Sequence, residues 1–257
     1  PCAPSMLYTD PRGKEQCERL INQFGAEKLA FKTGAKTHEM YSMPKIMWIK
    51  ENMPDNFNRA KKILLIQDYI VYMLCGICQI DYSLAARTIC FDIENKCWDK
   101  EILSFSEIDE KLLSVPVPTG SPAGKIKPQL ANELGISVDC IIGSGAHDQI
   151  AAMCGANIST NEQVMDGTGT VECVPVLFDD IPKDYELYNM GYSLAPHPNG
   201  GYACYVLSYT GGATLKWFRD NFSDIDYAEL DKTVKENPTD LLIMPHFAGA
   251  ATPYMDT

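Results

Sequence analysis

The spacing of apolar residues predicts a chain in which helices and strands alternate. Apolar side chains recur at intervals of three and four in residues 13–24 and 54–76, which is the periodicity of a helix with one buried face, and a further helix is predicted at residues 42–52, where apolar residues surround Trp48. Further helices are predicted at residues 127–134, 149–154, directly after Gly212, and 227–234. Apolar runs predict strands at residues 138–142, 162–165, 170–177, 186–194, 202–209 and 240–244. This order favours an α/β fold with a mixed sheet.

Two segments between these elements are predicted to be loops. Residues 81–92 carry small and hydroxyl side chains before an apolar end, which indicates a loop that enters a strand. Residues 114–124 are rich in proline and glycine, but they are too short and too apolar for a linker between domains. The chain therefore reads as continuous folded structure.

The charge balance excludes two classes of partner. The chain has 22 basic and 34 acidic residues, a net charge of −12, and no run of lysine and arginine. Nucleic acid and anionic membranes are therefore excluded as partners, because both require a basic surface. No apolar run approaches the length of a membrane span, so the sequence predicts a cytoplasmic protein.

Ten cysteines raise the question of a metal site. Most stand within apolar runs, where a reduced cysteine serves as a small hydrophobic side chain. Cys75 and Cys78 form a C-x-x-C pair that could bind zinc together with Cys90 and Cys97. The second pair lacks the spacing of zinc ligands, so we predict no metal site within this chain.

A carboxylate follows the predicted strand at residues 138–142. Asp148 comes after a Gly-Ser-Gly-Ala-His loop, at the end of the strand where open α/β sheets bind ligands. A carboxylate there can accept the proton of an attacking hydroxyl group. It can equally cap the helix at residues 149–154. The sequence leaves both roles open, and one residue can perform both.

About twenty residues later, a glycine-rich tetrapeptide offers backbone N–H groups. Asp166, Gly167, Thr168 and Gly169 are predicted to form a tight hairpin turn between two strands. Uncovered N–H groups and a threonine hydroxyl suit an anion, but an ordinary Asp-Gly turn has the same sequence. Gly212, which opens the next helix, is ambiguous in the same way.

Seven sequence blocks in order resemble one protein family. The blocks are TDPRGKEQ, SMPKIMWIKENMP, DYSLAARTICFDI, GSGAHDQIAAMCGA, DGTGTVE, GGATLKWFRD and MPHFAGAATPYMD. They resemble the FGGY carbohydrate kinases, and the resemblance spans essentially the whole chain. It implies an actin-like ATPase, or ribonuclease H-like, fold of two domains around a cleft. Residues 1–157 would belong to the sugar-binding domain and residues 158–257 to the nucleotide-binding domain, with a hinge near residues 157–161.

The resemblance also implies roles for individual residues. Asp148 would be the base that takes the proton from the sugar hydroxyl. The sugar pocket would include Gln149, Asp81, Ser83 and Glu39. The phosphate groups of MgATP, the implied co-substrate, would contact Gly167, Thr168, Gly169, Gly212 and Lys216.

Two blocks of the family pattern do not occur in this sequence. The first is a D-x-G-T turn that holds Mg²⁺ and phosphate, and the second is a glycine-rich adenosine-binding block. The chain therefore resembles an internal fragment with both domains incomplete, and we expect little kinase turnover from these 257 residues alone.

The leading interpretation is ATP-dependent phosphorylation of a ketopentose or related ketose. The alternative is a non-catalytic actin-like domain that binds a sugar or a partner protein. The sequence leaves open whether the protein forms a homodimer.

Overall fold

The computed structural model describes residues 1–223, 225–233, 239–244 and 246–254. Its first part is helical and contains five helices, α1 Lys14–Phe24, α2 Ala26–Thr33, α3 Ser42–Asn52, α4 Pro54–Arg59 and α5 Ile66–Cys75. Helix α1 buries Cys17 and Leu20, which lie on the predicted apolar face. Helices α1 and α3 lie where the sequence predicts helices, whereas α2 is absent from the sequence prediction.

The middle of the chain alternates short strands with short helices. Its elements are β1 Gln79–Asp81, α6 Tyr82–Ala86, β2 Phe91–Asp92, β3 Cys97–Trp98, α7 Lys100–Ser106, β4 Val115–Val117, β5 Pro122–Lys125, α8 Pro128–Leu134, β6 Ile141–Gly143 and α9 Asp148–Gly155. Strand β1 pairs with β4 in parallel, while β2 with β3 and β5 with β6 are antiparallel pairs. Both segments predicted as loops therefore contain regular elements.

The last part of the chain forms an antiparallel sheet followed by helices. Its elements are β7 Gly167–Thr168, β8 Glu172–Phe178, α10 Tyr185–Asn189, β9 Ser193–Pro196, β10 Tyr202–Ser208, α11 Gly212–Phe222 and α12 Tyr227–Thr233. The four strands lie in the order β7, β8, β10, β9. Every second residue of β8 is buried, as expected for a strand with one face on the core.

One continuous cluster of buried apolar residues runs through the chain. It extends from Leu20 to Tyr205 and includes Ile150 and Met153 of α9 and Leu194 of β9. Residues on both sides of position 157 therefore share one core. The domain boundary at 157/158 stays a prediction, and a hinge there would have to part side chains that are packed together in this structure.

The helix predicted at residues 54–76 is wrong as a single element. Helix α4 ends at Arg59, and α5 begins at Ile66. Between them the Ile63 N–H donates to the Leu112 carbonyl at 2.7 Å, and Lys62 donates to the carbonyls of Lys111 and Leu113. This segment is extended because its backbone and lysine are bonded to a distant part of the chain.

Several predicted strands also need correction. Residues 186–194 contain α10, whose first turn is capped by the Asp184 carboxylate, and only the start of β9, after Gly191 at a φ of +85°. Residues 162–165 and 240–244 contain no strand, and the strand predicted at 138–142 is reduced to Ile141–Gly143, with Ile141 exposed. These runs were predicted as strands from apolar composition alone. A strand also needs a neighbouring strand to pair with, and composition does not show whether one is present.

The remaining predicted helices are confirmed within the described residues. Helices α8, α9 and α11 lie where the sequence placed them, and α12 follows the prediction to Thr233, since residue 234 lies outside the described residues. Helix α7 is absent from the sequence prediction. Among the described residues, no helix is both long enough and apolar enough to cross a membrane.

Candidate functional site

The loop that leads from β6 to α9 is bonded along its length to neighbouring elements. The Ser144 hydroxyl accepts from the Gln79 amide of β1 at 2.8 Å, and the backbone of Ser144 bonds to Gly120 and Ser121 on either side. Three residues further on, the N–H of His147 donates to the Ser83 hydroxyl at 2.9 Å. The loop is therefore fixed at two points before Asp148.

Asp148 is the first residue of α9, and its side chain is 82% exposed. Its Oδ1 accepts from the N–H of Gln149 at 2.7 Å and lies 3.1 Å from Nδ1 of His147. The N-cap of α9 is His147, whose Nδ1 lies 3.4 Å from the same N–H group, so the capping role that the sequence offered to Asp148 is performed by its neighbour. The same carboxylate remains accessible to a substrate.

His147 supports this carboxylate from one side. Its ring packs against that of Tyr205 at a centroid distance of 5.2 Å. Burial and the nearby Arg87 guanidinium lower the pKa of His147 below its usual 6.5. The imidazole is therefore predominantly neutral at neutral pH, so Asp148 has no imidazolium beside it.

Asp81 and Ser83 lie beneath the loop and are each 0% exposed. Asp81 caps α6 by accepting from the N–H groups of Ser83 and Leu84, and it also accepts from the hydroxyls of Ser83 and Thr119. The Ser83 hydroxyl contacts the backbone of His147, the residue before Asp148, so both side chains lie close to the start of α9. Their predicted contact with a sugar stays a prediction.

Gln149 points from α9 towards the glycine hairpin. Its Oε1 is buried without a hydrogen-bond partner in the described part of the chain, 3.8 Å from where a Cβ on Gly167 would stand. Gly167 is opposite Cys173 in the sheet, and burial together with the charge of Asp148 raises the pKa of Cys173. The start of α9 and the hairpin therefore face each other.

The turn of this hairpin lies two to three residues beyond its predicted position. Gly167 and Thr168 belong to β7, where Thr168 pairs with Glu172, so the turn comprises residues 169–171. The N–H of Gly169 donates to the Val171 carbonyl at 3.1 Å and closes it. The prediction of a turn at residues 166–169 is wrong because the sheet register extends into the glycine segment.

The turn rests on the N-terminus of α11. The Gly169 carbonyl accepts from the N–H of Gly212 at 2.7 Å, and the Thr170 carbonyl accepts from that of Gly211 at 3.0 Å. A Cβ on Gly211 or Gly212 would lie 2.9 or 3.0 Å from the Gly169 oxygen, so glycine is required for this approach. The structure thus brings the two predicted phosphate-binding segments into contact.

Lys216 lies one turn further along α11 and is paired with Asp220 on the exposed helix surface. Thr168 is exposed on β7. Glu39 lies 3.6 Å from Nδ1 of His38, and none of the contacts found within the described residues joins it to Asp148. These three site predictions remain untested by the geometry.

Arg87 lies beside the candidate site and was not singled out from the sequence. Its guanidinium lies 4.9 Å from the centre of the Tyr41 ring and donates to the Ser193 hydroxyl at 3.3 Å. It thereby connects the loop at residues 37–41, the end of α6 and β9. The only sequence signal was the arginine within SLAART, and nothing local revealed its distant partners.

The cysteines offer no metal cluster in the described residues. All ten are free thiols, and no group of three or more His, Cys, Asp or Glu side chains there has the arrangement of a metal site. Burial raises the pKa of Cys90, within the core, above its usual 9.0 and keeps that thiol protonated.

The fold places this chain among the sugar kinases of the actin-like ATPase fold. A solved structure of ligand-bound xylulose kinase from Lactobacillus acidophilus superposes with a TM-score of 0.83 at 25% identity, covering 99% of this chain and 52% of that one. The family model for the N-terminal domain of the FGGY family of carbohydrate kinases matches residues 1–155. The chain belongs to the FGGY family of carbohydrate kinases, and the α/β actin-like prediction is confirmed.

Curated relatives agree with this assignment. A xylulose kinase of Lactococcus lactis subsp. lactis is 29% identical over 100% of this chain and 51% of its own length. A gluconokinase of Bacillus subtilis is 25% identical over 98% of this chain and 52% of its own length. The chain thus spans about half the length of the curated relatives it matches.

Proposed function

We propose that the whole protein carrying this chain transfers a phosphoryl group from ATP to a hydroxyl of a ketopentose or a related ketose. The observation that carries the proposal is the exposed carboxylate of Asp148 at the start of α9, opposite a glycine hairpin that rests on a second helix N-terminus. A base that faces a glycine hairpin matches the needs of phosphoryl transfer, provided that the hairpin releases backbone N–H groups to the phosphate.

Asp148 acts as the general base in this proposal. Its Oδ1 is engaged by the N–H of Gln149, so Oδ2 accepts the proton of the sugar hydroxyl. The sugar oxygen then forms its bond to the γ-phosphorus as the bond from that phosphorus to the β-γ bridging oxygen breaks. The neutral His147 ring, held against Tyr205, keeps the carboxylate oriented without neutralising it.

The glycine segments are compatible with a nucleotide. Gly169, Gly211 and Gly212 carry no side chains, so a phosphate can reach the N-terminus of α11 once the hairpin carbonyls leave its N–H groups, and Thr168 is exposed nearby along the chain. MgATP, when bound, supplies the phosphoryl group, and we propose that Gly167 and Thr168 line its path. Lys216 could contribute only by leaving Asp220.

The sugar side of the site would be formed by Gln149, whose Oε1 has no hydrogen-bond partner among the described residues, and by Glu39 on the loop that Arg87 contacts through Tyr41. Asp81 and Ser83 belong to this side as supports beneath the loop. The ketose preference rests on the relatives named xylulose kinase and on the DYS and AHDQ segments. A cytoplasmic location and a homodimer stay predictions.

The alternative is a non-catalytic domain that binds a sugar or a partner protein. One observation favours it: the N–H groups of Gly211 and Gly212 donate to the hairpin carbonyls, so in this conformation they are not available to a phosphate. A kinase therefore needs the hairpin to separate from α11 or needs phosphate contacts from other N–H groups.

A substrate panel tests the proposal. The whole protein should be assayed for ATP-dependent ADP release with D-xylulose, D-ribulose, gluconate and glycerol, together with the 257-residue chain alone. We expect the whole protein to show its highest kcat/KM with a ketopentose and the chain alone to show little turnover. Sugar binding without ADP release by the whole protein would favour the non-catalytic alternative.

A further inference from the structure

We propose that Asp81 and Ser83 are positioning residues that hold the backbone of His147 and thereby aim the carboxylate of Asp148. The inference rests on the proposed function, because it assigns these residues an action through Asp148. It differs from the family expectation that they contact the sugar, since both side chains are 0% exposed.

The hydrogen-bond polarity of the Ser83 hydroxyl is fixed by Asp81. The Asp81 Oδ2 accepts from the Ser83 Oγ at 2.6 Å and from the Thr119 Oγ1 at 2.7 Å. A hydroxyl has one proton to donate, so Ser83 Oγ can only accept from the other side. There it meets the N–H of His147 at 2.9 Å. Because its proton is donated to Asp81, the Ser83 hydroxyl acts only as an acceptor towards the N–H of His147.

A second anchor fixes the same loop three residues earlier. The Gln79 amide donates to the Ser144 hydroxyl at 2.8 Å and to the Ser121 carbonyl at 3.0 Å. Only Gly145 and Ala146 lie between the two anchored residues. Because Gln79 and Asp81 both belong to β1, the same strand carries the first anchor and the carboxylate that orients the second.

The held residue is adjacent to the proposed base. His147 is the N-cap of α9, so its backbone position determines where α9 begins and where Asp148 leaves the helix. Loss of the Ser83 anchor would leave a partly buried N–H without its acceptor and would allow the start of α9 to shift. A misplacement of about 1 Å can cost roughly 10²-fold in rate.

The two roles predict different kinetic changes. A residue that binds the sugar equally in the ground and transition states changes KM, whereas one that positions the base changes kcat. In the whole protein, we expect Ser83→Ala to lower kcat by about 10- to 100-fold with KM for the ketose changed by less than about threefold. Ser83→Thr, which retains the hydroxyl, should recover most of the lost kcat.

Ser106→Ala provides a matched control. Ser106 is also buried, at 4% exposure, and its hydroxyl has no hydrogen-bond partner within the described residues, so its removal should leave kcat unchanged. If Ser83→Ala does not fold, Thr119→Val removes a different donor from Asp81 at a partly exposed position and should lower kcat in the same direction. An unchanged kcat in the folded Ser83→Ala variant overturns the proposal. If Ser83→Ala does not fold, an unchanged kcat in Thr119→Val overturns it instead.

Amide hydrogen exchange separates this inference from the proposed function. The His147 amide should exchange at least about tenfold faster in Ser83→Ala than in the wild type, because its hydrogen-bond acceptor is gone. If the wild type turns over none of the sugars, the proposed function is contradicted, and the exchange rate of the His147 amide then decides whether Ser83 holds the backbone of His147. An unchanged exchange rate at His147 in Ser83→Ala would overturn the positioning proposal.

Discussion

Asp68 is a buried carboxylate whose environment has a measurable consequence for stability. It lies in the first turn of α5 at 1% exposure, and its Oδ2 accepts from the Ser114 hydroxyl at 2.6 Å. Its Oδ1 has no hydrogen-bond partner among the residues that the structure describes. Burial raises the pKa of Asp68 from 3.8 to about 6, so the folded state binds this proton more tightly than the unfolded chain does.

Folding stability should therefore fall as the pH rises through this range. The folded state is favoured most below pH 4, and the cost of the ionised carboxylate is complete above pH 6. Asp68→Asn removes the charge, and its stabilising effect should grow by about 1.5 kcal/mol between pH 5 and pH 8 in urea unfolding. Asp55→Asn, the same change at an exposed carboxylate in the first turn of α4, serves as the control. A gain for Asp68→Asn that is independent of pH would contradict this account.

At this scale the sequence revealed residues with local signals and missed those with distant partners. The position of Asp148 at the start of a helix was predictable because a glycine loop and a helix surround it directly in the sequence. The contacts that hold it in place were not, since Ser83 lies 64 residues from His147 and Arg87 lies 106 residues from Ser193. Such partners become visible only when the chain is folded.

The end of α2 packs tightly against the start of β9. Gly34 caps α2 at a φ of +80°, and its carbonyl accepts from the N–H of Leu194 at 2.6 Å. A Cβ on Gly34 would lie 2.5 Å from the Leu194 carbonyl oxygen. This position therefore requires glycine for its backbone conformation and also for the space between two elements.

Replacing Gly34 by alanine should separate these two requirements. We expect Gly34→Ala to destabilise the protein by more than about 3 kcal/mol, because overpacking adds to the cost of the left-handed conformation. Gly135→Ala is the matched control: Gly135 caps α8 at a φ of +67° with open space around it, so it should cost only about 1 kcal/mol. Equal losses of stability in Gly34→Ala and Gly135→Ala, measured by chemical denaturation, would show that β9 does not pack closely against α2 at Gly34.

The elements that the sequence predicted best are those with a complete local signal. Helix α1 has apolar spacing at threes and fours, and α8 begins at Pro128 and stops at Gly135. Helix α10 was predicted as a strand because its apolar and aromatic residues suit either form. The break between α4 and α5 has its cause in the distant Leu112 carbonyl.

At the scale of the whole molecule, the chain belongs to the FGGY family of carbohydrate kinases, and its buried apolar residues form one continuous core. Seven ordered sequence blocks sufficed to predict the FGGY family and its fold, because motif order over the whole chain is more specific than any single motif. The shared core from Leu20 to Tyr205 was not predictable, since burial depends on how β9 and α10 pack back onto α6 and α2.

The central claim is that Asp148 is the general base of a sugar kinase, and Asp148→Asn tests it most directly. The control is Asp139→Asn, at an exposed carboxylate that pairs with Lys125 at 2.6 Å before β6. In the whole protein, with its preferred ketose and ATP, we predict that Asp148→Asn lowers kcat by about 10²- to 10⁴-fold, while Asp139→Asn retains it. An Asp148→Asn enzyme with the wild-type kcat would contradict the account.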